Sequence, residues 1–350
     1  VKIPYSTTPL TFLPWPTVRW RSPSLLLVLG LVWGGLFFLN LGLGSTTIPW
    51  DQLLAIALGR PVDNPVWANI VWQLRLPRAI AATFAGAALS ISGLQMQTLF
   101  NNPLAGPFVL GINSGASLGV AIVLLGTGFM GGVLGTLSVA MAASLGAVAV
   151  FLLILAIARR VPHNSTLLIL GLMLGYVSNA LVTLLLHFSP AEALRLYLSW
   201  TFGSFAAIHR EQLPIFITLI LAGGLLAFFQ AKPLNALLLG KQYAESVGLN
   251  LRATRRQIIA STALLAGSVT AFCGPISFIG IAVPHLCRGL LKTVDHRLLV
   301  PAVTLLGASL ALLADIIVQL PGSELTLPLN AVTAMFGAPI IIILILRRHS

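Results

Sequence analysis

Ten apolar runs, each near the length of a membrane-crossing helix, follow one another along this chain, and that repetition limits its possible folds more than any other feature. They lie at 24–43, 79–100, 113–136, 138–158, 166–188, 212–231, 257–273, 277–291, 298–319 and 327–346, separated by clusters of charge, Gly or Pro. A hydrocarbon core of roughly 30 Å asks for about 20 mostly apolar residues per crossing helix. The third and fourth runs meet through the Gly-rich GTGFMGGVLG, and the short eighth is broken by Pro284. With 57% hydrophobic and 8% charged residues the chain is far from a soluble composition, in which about a quarter of residues are charged. The sequence therefore predicts an all-α polytopic membrane protein of about ten transmembrane helices, with residues 1–350 forming a single domain.

The formal net charge of +12 raises a nucleic-acid reading, but the basic residues stand in short clusters and form no continuous face. Topology accounts for them better, because cytoplasmic segments carry the Lys and Arg excess. With the N-terminus inside, the inner segments hold fifteen of the 20 Lys and Arg residues: Lys2, Arg19, Arg21, Arg159, Arg160, Lys232, Lys241, Arg252, Arg255, Arg256, Arg288, Lys292, Arg297, Arg347 and Arg348. The outer segments hold Arg60, Arg75, Arg78, Arg195 and Arg210, offset by Asp51, Asp63, Glu192, Glu211 and Glu324. Both termini are thus expected in the cytoplasm. The first apolar run follows basic residues and exceeds a signal-peptide core, so it is expected to be a first span. Cys273 and Cys287 have neither metal-finger nor disulfide spacing and read as small packing residues.

The chemistry absent from the sequence narrows the function. Ion-coupled transport needs ionisable groups at membrane depth, and the runs hold almost none. Asp315 and His187 fall near the outer ends of their spans, where an interfacial residue is the plainer reading. His285 and Cys287 can both ligate a metal but have no further ligands nearby in sequence. There is no HExxH, no GxSxG and no carboxylate pair on one helical face. Gly240-Lys241 is no phosphate loop, since Asn235 stands five positions before Gly240 and no Ser or Thr follows the Lys. No catalytic, cofactor or metal site is expected. Substrate movement through this chain is then either passive or driven by a partner.

Some stretches depart from generic membrane helix. Gly111, Gly115 and Gly119, and again Gly171 and Gly175, have the small-xxx-small spacing that lets helix backbones approach in lipid. Arg75 and Arg78, in RLPR at the outer mouth of the second run, suit either carboxylates on an outside partner or headgroups reached by snorkelling. GPISFIGIAVPHLCR at 274–288 carries breaks at Gly274-Pro275, Gly280 and Pro284, fit for a wall beside a pathway or a packed kink. The outer segment 190–212 suits a short amphipathic helix. The longest polar interruption, LNALLLGKQYAESVGLNLRATRR at 234–256, should form a cytoplasmic elbow of two short helices stopped by Gly240 and Gly248. Its apolar residues Leu237 to Leu239, Tyr243, Val247 and Leu249 need a protein surface to cover them.

At these residues the chain resembles the permease subunits of type II ATP-binding-cassette importers, which carry iron-siderophore complexes, haem and vitamin B12. The likeness is colinear over roughly residues 66–346 and includes the RLPR stretch with LFNNPLAGPFVLGINSGASLG, LNALLLGKQYAESVGL, GPISFIGIAVPHLCR, DHRLLVPAVTLLGASLALLAD and NAVTAMFGAPIIIILIL. It implies a multi-pass permease of the bacterial inner membrane that is not itself an enzyme and moves a ferric siderophore, or else haem or vitamin B12, by ATP-driven alternating access. The implied partners are a second permease subunit, two cytoplasmic ABC ATPases and an extracytoplasmic binding protein, besides membrane lipid. An ion-coupled secondary transporter is the rival from another class. Coupling helices at 234–249 would meet the ATPase through Leu234, Leu238, Gly240, Lys241, Glu245, Gly248 and Leu249. Arg75 and Arg78 match arginines that dock the binding protein, and Asn164, Ser165 and Thr166 fall at a cytoplasmic gate. Trp200, Gly203 and Ser204 match a short outer helix flanking the cavity, and Pro284 and His285 are taken as pathway-adjacent. Two departures stand out: the acid Glu324 lies two places early with Asn330 in place of a glycine before the last span, and Gln319 stands where some members carry a further outer arginine.

Overall fold

The structure, a computed structural model, describes residues 22–44, 46–126, 133–161, 164–319 and 326–349. Among them the α-helices run α1 Ser22–Gly42, α2 Trp50–Ala57, α3 Pro65–Asn69, α4 Leu76–Phe100, α5 Ile112–Ala121, α6 Val133–Arg160, α7 Asn164–His187 and α8 Ala191–Thr201. They continue with α9 Leu213–Phe229, α10 Ala231–Leu238, α11 Lys241–Ser246, α12 Leu251–Cys273, α13 Ile279–Leu291, α14 His296–Gln319 and α15 Leu329–His349. Six helical stretches are long and apolar enough to cross a membrane, and α9 with α10 forms a seventh bent by 48°. Three shorter apolar stretches, Ile112–Gly126, Ile279–Leu291 and Leu329–Ile343, fill the remaining expected positions. The protein is all-α and polytopic, as the apolar runs dictate.

α4 is the axis of the bundle. Of its most apolar stretch 83% is buried, against 17% for α1 and 22% for α6 and for α7, which turn most of their surface outward. Two apolar clusters meet along α4: one joins it to α9, α12, α13 and α14, and the other gathers its inner end with α5, α6, α10 and α12. Small residues make such packing possible, because helices in lipid gain little from apolar burial and depend on close contact. Gly93 on α4 faces the Gly280 carbonyl of α13, and Gly86 faces that of Gly307 on α14, so closely that neither glycine leaves room for a Cβ. Pro284 has no N–H to offer the Gly280 carbonyl four residues earlier, which frees that oxygen to lie against α4. The glycines singled out in the sequence are seams of the same kind. Gly115 and Gly119 close on α6 at Gly146 and Ala142, and Gly111 closes on α7 at Gly171.

Three details differ from the sequence reading. The second span begins well before residue 79: helix runs unbroken over Pro65–Phe100 through a π turn at Ile70–Arg75. The wider turn absorbs the missing N–H of Pro77, and internal partners engage the arginines that had marked a boundary: carbonyls for Arg75 and the Asp315 carboxylate for Arg78. An unexpected short helix, α2, lies in the outer segment, where Leu53 and Ile56 pack with Ile48 and Val71. The third run turns from α5 into a π segment at Ile122–Gly126, and residues 127–132 lie outside the described residues.

Candidate functional site

The elbow is built where α9 gives way to α10. Leu234 is fully buried and anchors α10 in the apolar cluster, together with Ile258 of α12. The chain then reverses at Gly240, whose φ of +103° is strained for any residue with a Cβ, and again at Gly248 with φ +84°. Between them α11 tucks Ala244 inward and leaves Lys241 and Glu245 in solvent. Asn250 caps α12, its side chain accepting the Ala253 N–H at 3.0 Å. What the elbow presents outward is apolar: Leu238, Leu239, Tyr243 and Val247 are exposed, with Leu237 and Leu249 half-buried beside them.

The inner ends of other helices meet this elbow. Asn235 of α10 donates to Asp295 at 2.6 Å and accepts the backbone N–H of His296 at 2.9 Å, so the α13–α14 corner lies against it. Asp295 in turn accepts the Arg297 N–H at 2.9 Å, and these two bonds hold its carboxyl below the ordinary value of 3.8. Arg255 of α12 donates to the Val161 carbonyl at 2.8 Å, which ties the corner before α7 to the same end. Ser165 and Thr166, expected at a gate, begin α7 and are exposed; the side chain of Asn164 lies outside the described residues. Three of the corners counted as inner from their charge, before α7, at the elbow and between α13 and α14, thus come together at one end of the bundle.

At the opposite end Arg75 and Arg78 are turned inward. Arg75 is buried, and its guanidinium donates to the carbonyls of Leu41 at 2.8 Å, Gly42 at 2.7 Å and Thr46, capping the end of α1. Arg78 forms a salt bridge of 2.8 Å with Asp315, which also accepts from Asn40 at 3.0 Å and Gln319 at 2.9 Å. Asp315 is only 1% exposed, so the interfacial reading of this residue is corrected: it is a buried carboxylate clamped between α1, α4 and α14. Both arginines have partners within the chain where the sequence reading expected partners outside it. His187 does lie exposed near the outer end of α7, its ring edge-on to Phe188.

Beside this cluster α8 leads into a corner sewn together by main-chain bonds. Ser204 N–H donates to the Cys273 carbonyl at 2.8 Å, and Asn330 N–H to that of Phe202 at 3.0 Å. A Cβ on Gly203 would come within 3.0 Å of the Pro275 carbonyl oxygen, and one on Gly274 within 3.0 Å of that of Trp200. Asn330 uses its extra side chain: its Oδ1 accepts the Ser277 N–H at 3.1 Å, joining the start of α15 to the break between α12 and α13. Gly274, Pro275 and Ile276 of that break are buried, as is Pro284, and His285 is half-buried, so the interruption is enclosed by protein. Cys273 and Cys287 are buried packing residues. Glu324 lies outside the described residues.

Sequence reasoning missed the Asn235, Asp295 and His296 cluster and the task of Asn330. An Asn in an apolar LNALLL run and an Asp two residues ahead of an Arg at a helix start were its only signals.

Comparisons with known proteins agree on one family. A model described as the FecCD transport family matches residues 27–347. Relatives include the vitamin B12 import system permease protein BtuC of Klebsiella pneumoniae, 41% identical over 79% of this chain and 82% of that protein. BtuC of Escherichia coli O6:H1 is also 41% identical, over 81% of this chain and 86% of that one. Among solved structures, a metal-chelate type ABC transporter in an inward-facing conformation matches with a TM-score of 0.82 at 28% identity, covering 93% of this chain and 99% of that one. PsaBC from Streptococcus pneumoniae, TM-score 0.52 at 15% identity over 79% and 92%, shares the fold alone.

Proposed function

The chain belongs to the FecCD transport family and is a multi-pass inner-membrane permease of a type II ABC importer, and from that premise we propose that it moves a cobalt corrinoid by ATP-driven alternating access. The elbow is the observation that carries the coupling half of this reading. An exposed apolar face of Leu238, Leu239, Tyr243 and Val247 on two short helices beyond the spans suits the groove of an ATPase. Closure of an ATPase pair would push the elbows of two permease copies and, with them, the inner ends of the spans. Ser165 and Thr166, exposed at the start of α7, act in this reading as the inner gate. In this reading Trp200, Gly203 and Ser204, near the end of α8, flank the outer side of the path, and Pro284 and His285 on α13 lie adjacent to it.

The corrinoid is favoured over the ferric siderophore of the sequence reading by the relatives named for vitamin B12. Docking of a binding protein at Arg75 and Arg78 requires acidic side chains to compete with the α1 carbonyls and with Asp315. Uptake of labelled cyanocobalamin, ferric siderophore and haem into proteoliposomes holding the complete transporter tests the reading. ATP-dependent uptake of cyanocobalamin is expected. Uptake that follows an ion gradient without ATP would replace it with the secondary-transporter reading.

A further inference from the structure

Asn235 sits on α10 among apolar neighbours, yet both ends of its amide are engaged across the chain. Its Nδ2 donates to Asp295 Oδ1 at 2.6 Å, and its Oδ1 accepts the His296 backbone N–H at 2.9 Å and lies 2.8 Å from His296 Nδ1. An amide oxygen only accepts, so Nδ1 carries a proton. On the far side of the ring, Nε2 lies 2.8 Å from Thr98 Oγ1 in the last turn of α4. The preceding residue, Gln97, donates to the Ile281 carbonyl of α13 at 3.1 Å and accepts from Arg288. Hydrogen bonds thus run from α10 through the first residue of α14 to Thr98 at the end of α4, and the adjoining residue Gln97 bonds α4 to α13. His296 is 1% exposed and Thr98 7%, so α10 cannot shift alone without leaving buried donors and acceptors unmatched.

We propose that Asn235 is a positioning residue that passes displacement of the elbow to the inner ends of α4 and α13 through His296. The inference rests on the reading of the elbow as the ATPase contact and adds the route by which its movement reaches the bundle. Apolar packing of Leu234 alone would let α10 slide; a bonded amide has discrete arrangements, and that is what a coupling element requires.

The test exchanges the two partners. Asn235→Asp puts a second carboxylate against Asp295 and breaks the joint, and adding Asp295→Asn restores one carboxylate and one amide, with the aspartate now accepting both His296 N–H groups. In proteoliposomes holding permease, ATPase and binding protein, the readout is ATP hydrolysed per labelled cyanocobalamin imported. Asn235→Asp is expected to raise that ratio about tenfold or more with complex yield unchanged, and the double variant to return it near the wild-type value. An unchanged ratio, joint loss of complex and hydrolysis, or failure of the double variant to rescue would each overturn the proposal. Hydrogen exchange on the purified permease supplies an independent reading. Asn235→Asp should quicken exchange in both 231–238 and 94–100, whereas a rise confined to 231–238 would show that no link reaches α4. Should the wild-type chain bind no ATPase, the reading of the elbow as the ATPase contact fails while the exchange result still decides the link.

Discussion

Replacing Gly93 with Ala probes the packing on which the bundle depends. The added Cβ would fall on the Gly280 carbonyl oxygen, more than an ångström inside the 3.0 Å that Cβ contacts essentially never breach. The obstacle is backbone on both sides, so no rotamer relieves it and α4 must move away from α13. Overpacking a tight interior costs about 1–3 kcal/mol, and a gap of about 1 Å forfeits up to about half of the dispersion attraction across it. We therefore expect about 3 kcal/mol of destabilisation, which at about 2 °C per kcal/mol for a chain of this size lowers Tm by roughly 6 °C. Gly289→Ala is the control, because it lies on the same α13 with nothing within 4 Å of its added Cβ. It should leave Tm unchanged or raise it slightly through helix propensity. Thermal unfolding in detergent, followed by Trp fluorescence, compares the two. Gly93→Ala unfolding within 1 °C of wild type, on the order of the measurement error, would refute the close α4–α13 crossing.

Three further outcomes follow from the same geometry. Arg78→Met leaves the buried Asp315 without its counter-charge and should cost about 3–5 kcal/mol, while Arg78→Met with Asp315→Leu should cost less than the single change; Tm of the three proteins checks this. Asp295 has its pKa depressed by the Arg297 N–H and the Asn235 amide, so its contribution is present at neutral pH and fades as pH falls below the ordinary 3.8; the stability gap between wild type and Asp295→Asn, measured by Tm, should therefore shrink on acidification through that range. Tyr243→Asp on the exposed elbow should leave Tm within about 1 °C, as surface changes cost at most about 0.5 kcal/mol, while ATPase retention in a pull-down drops at least about tenfold.

The spans were legible because apolar length has one solution in lipid, and the elbow because Gly240 and Gly248 interrupt polar helix where left-handed backbone is needed. The glycine spacing announced close seams at 111–119 and 171–175, but which seam meets which was beyond it: Gly111 with Gly171 and Gly119 with Ala142 are pairings across the fold. The same limit hid Asp315, whose partner Arg78 lies 237 residues away, and made a buried carboxylate look interfacial. Arg75 and Arg78 looked like the end of a span since charge normally marks one, and only the carbonyls at the end of α1 and the Asp315 carboxylate explain how helix continues through them. Asn235 was passed over because a single amide in an apolar run has no periodicity to betray its partners.

The central claim is that this chain supplies a path and receives its energy through the elbow from a separate ATPase. Co-purification from membranes tests it most directly, comparing wild type with Gly240→Val, which forces a β-branched residue into φ +103° and deforms the reversal between α10 and α11. The account predicts an ABC ATPase retained by wild type and by Gly289→Ala but lost from Gly240→Val. An ATPase held equally by all three, or by none, would contradict it.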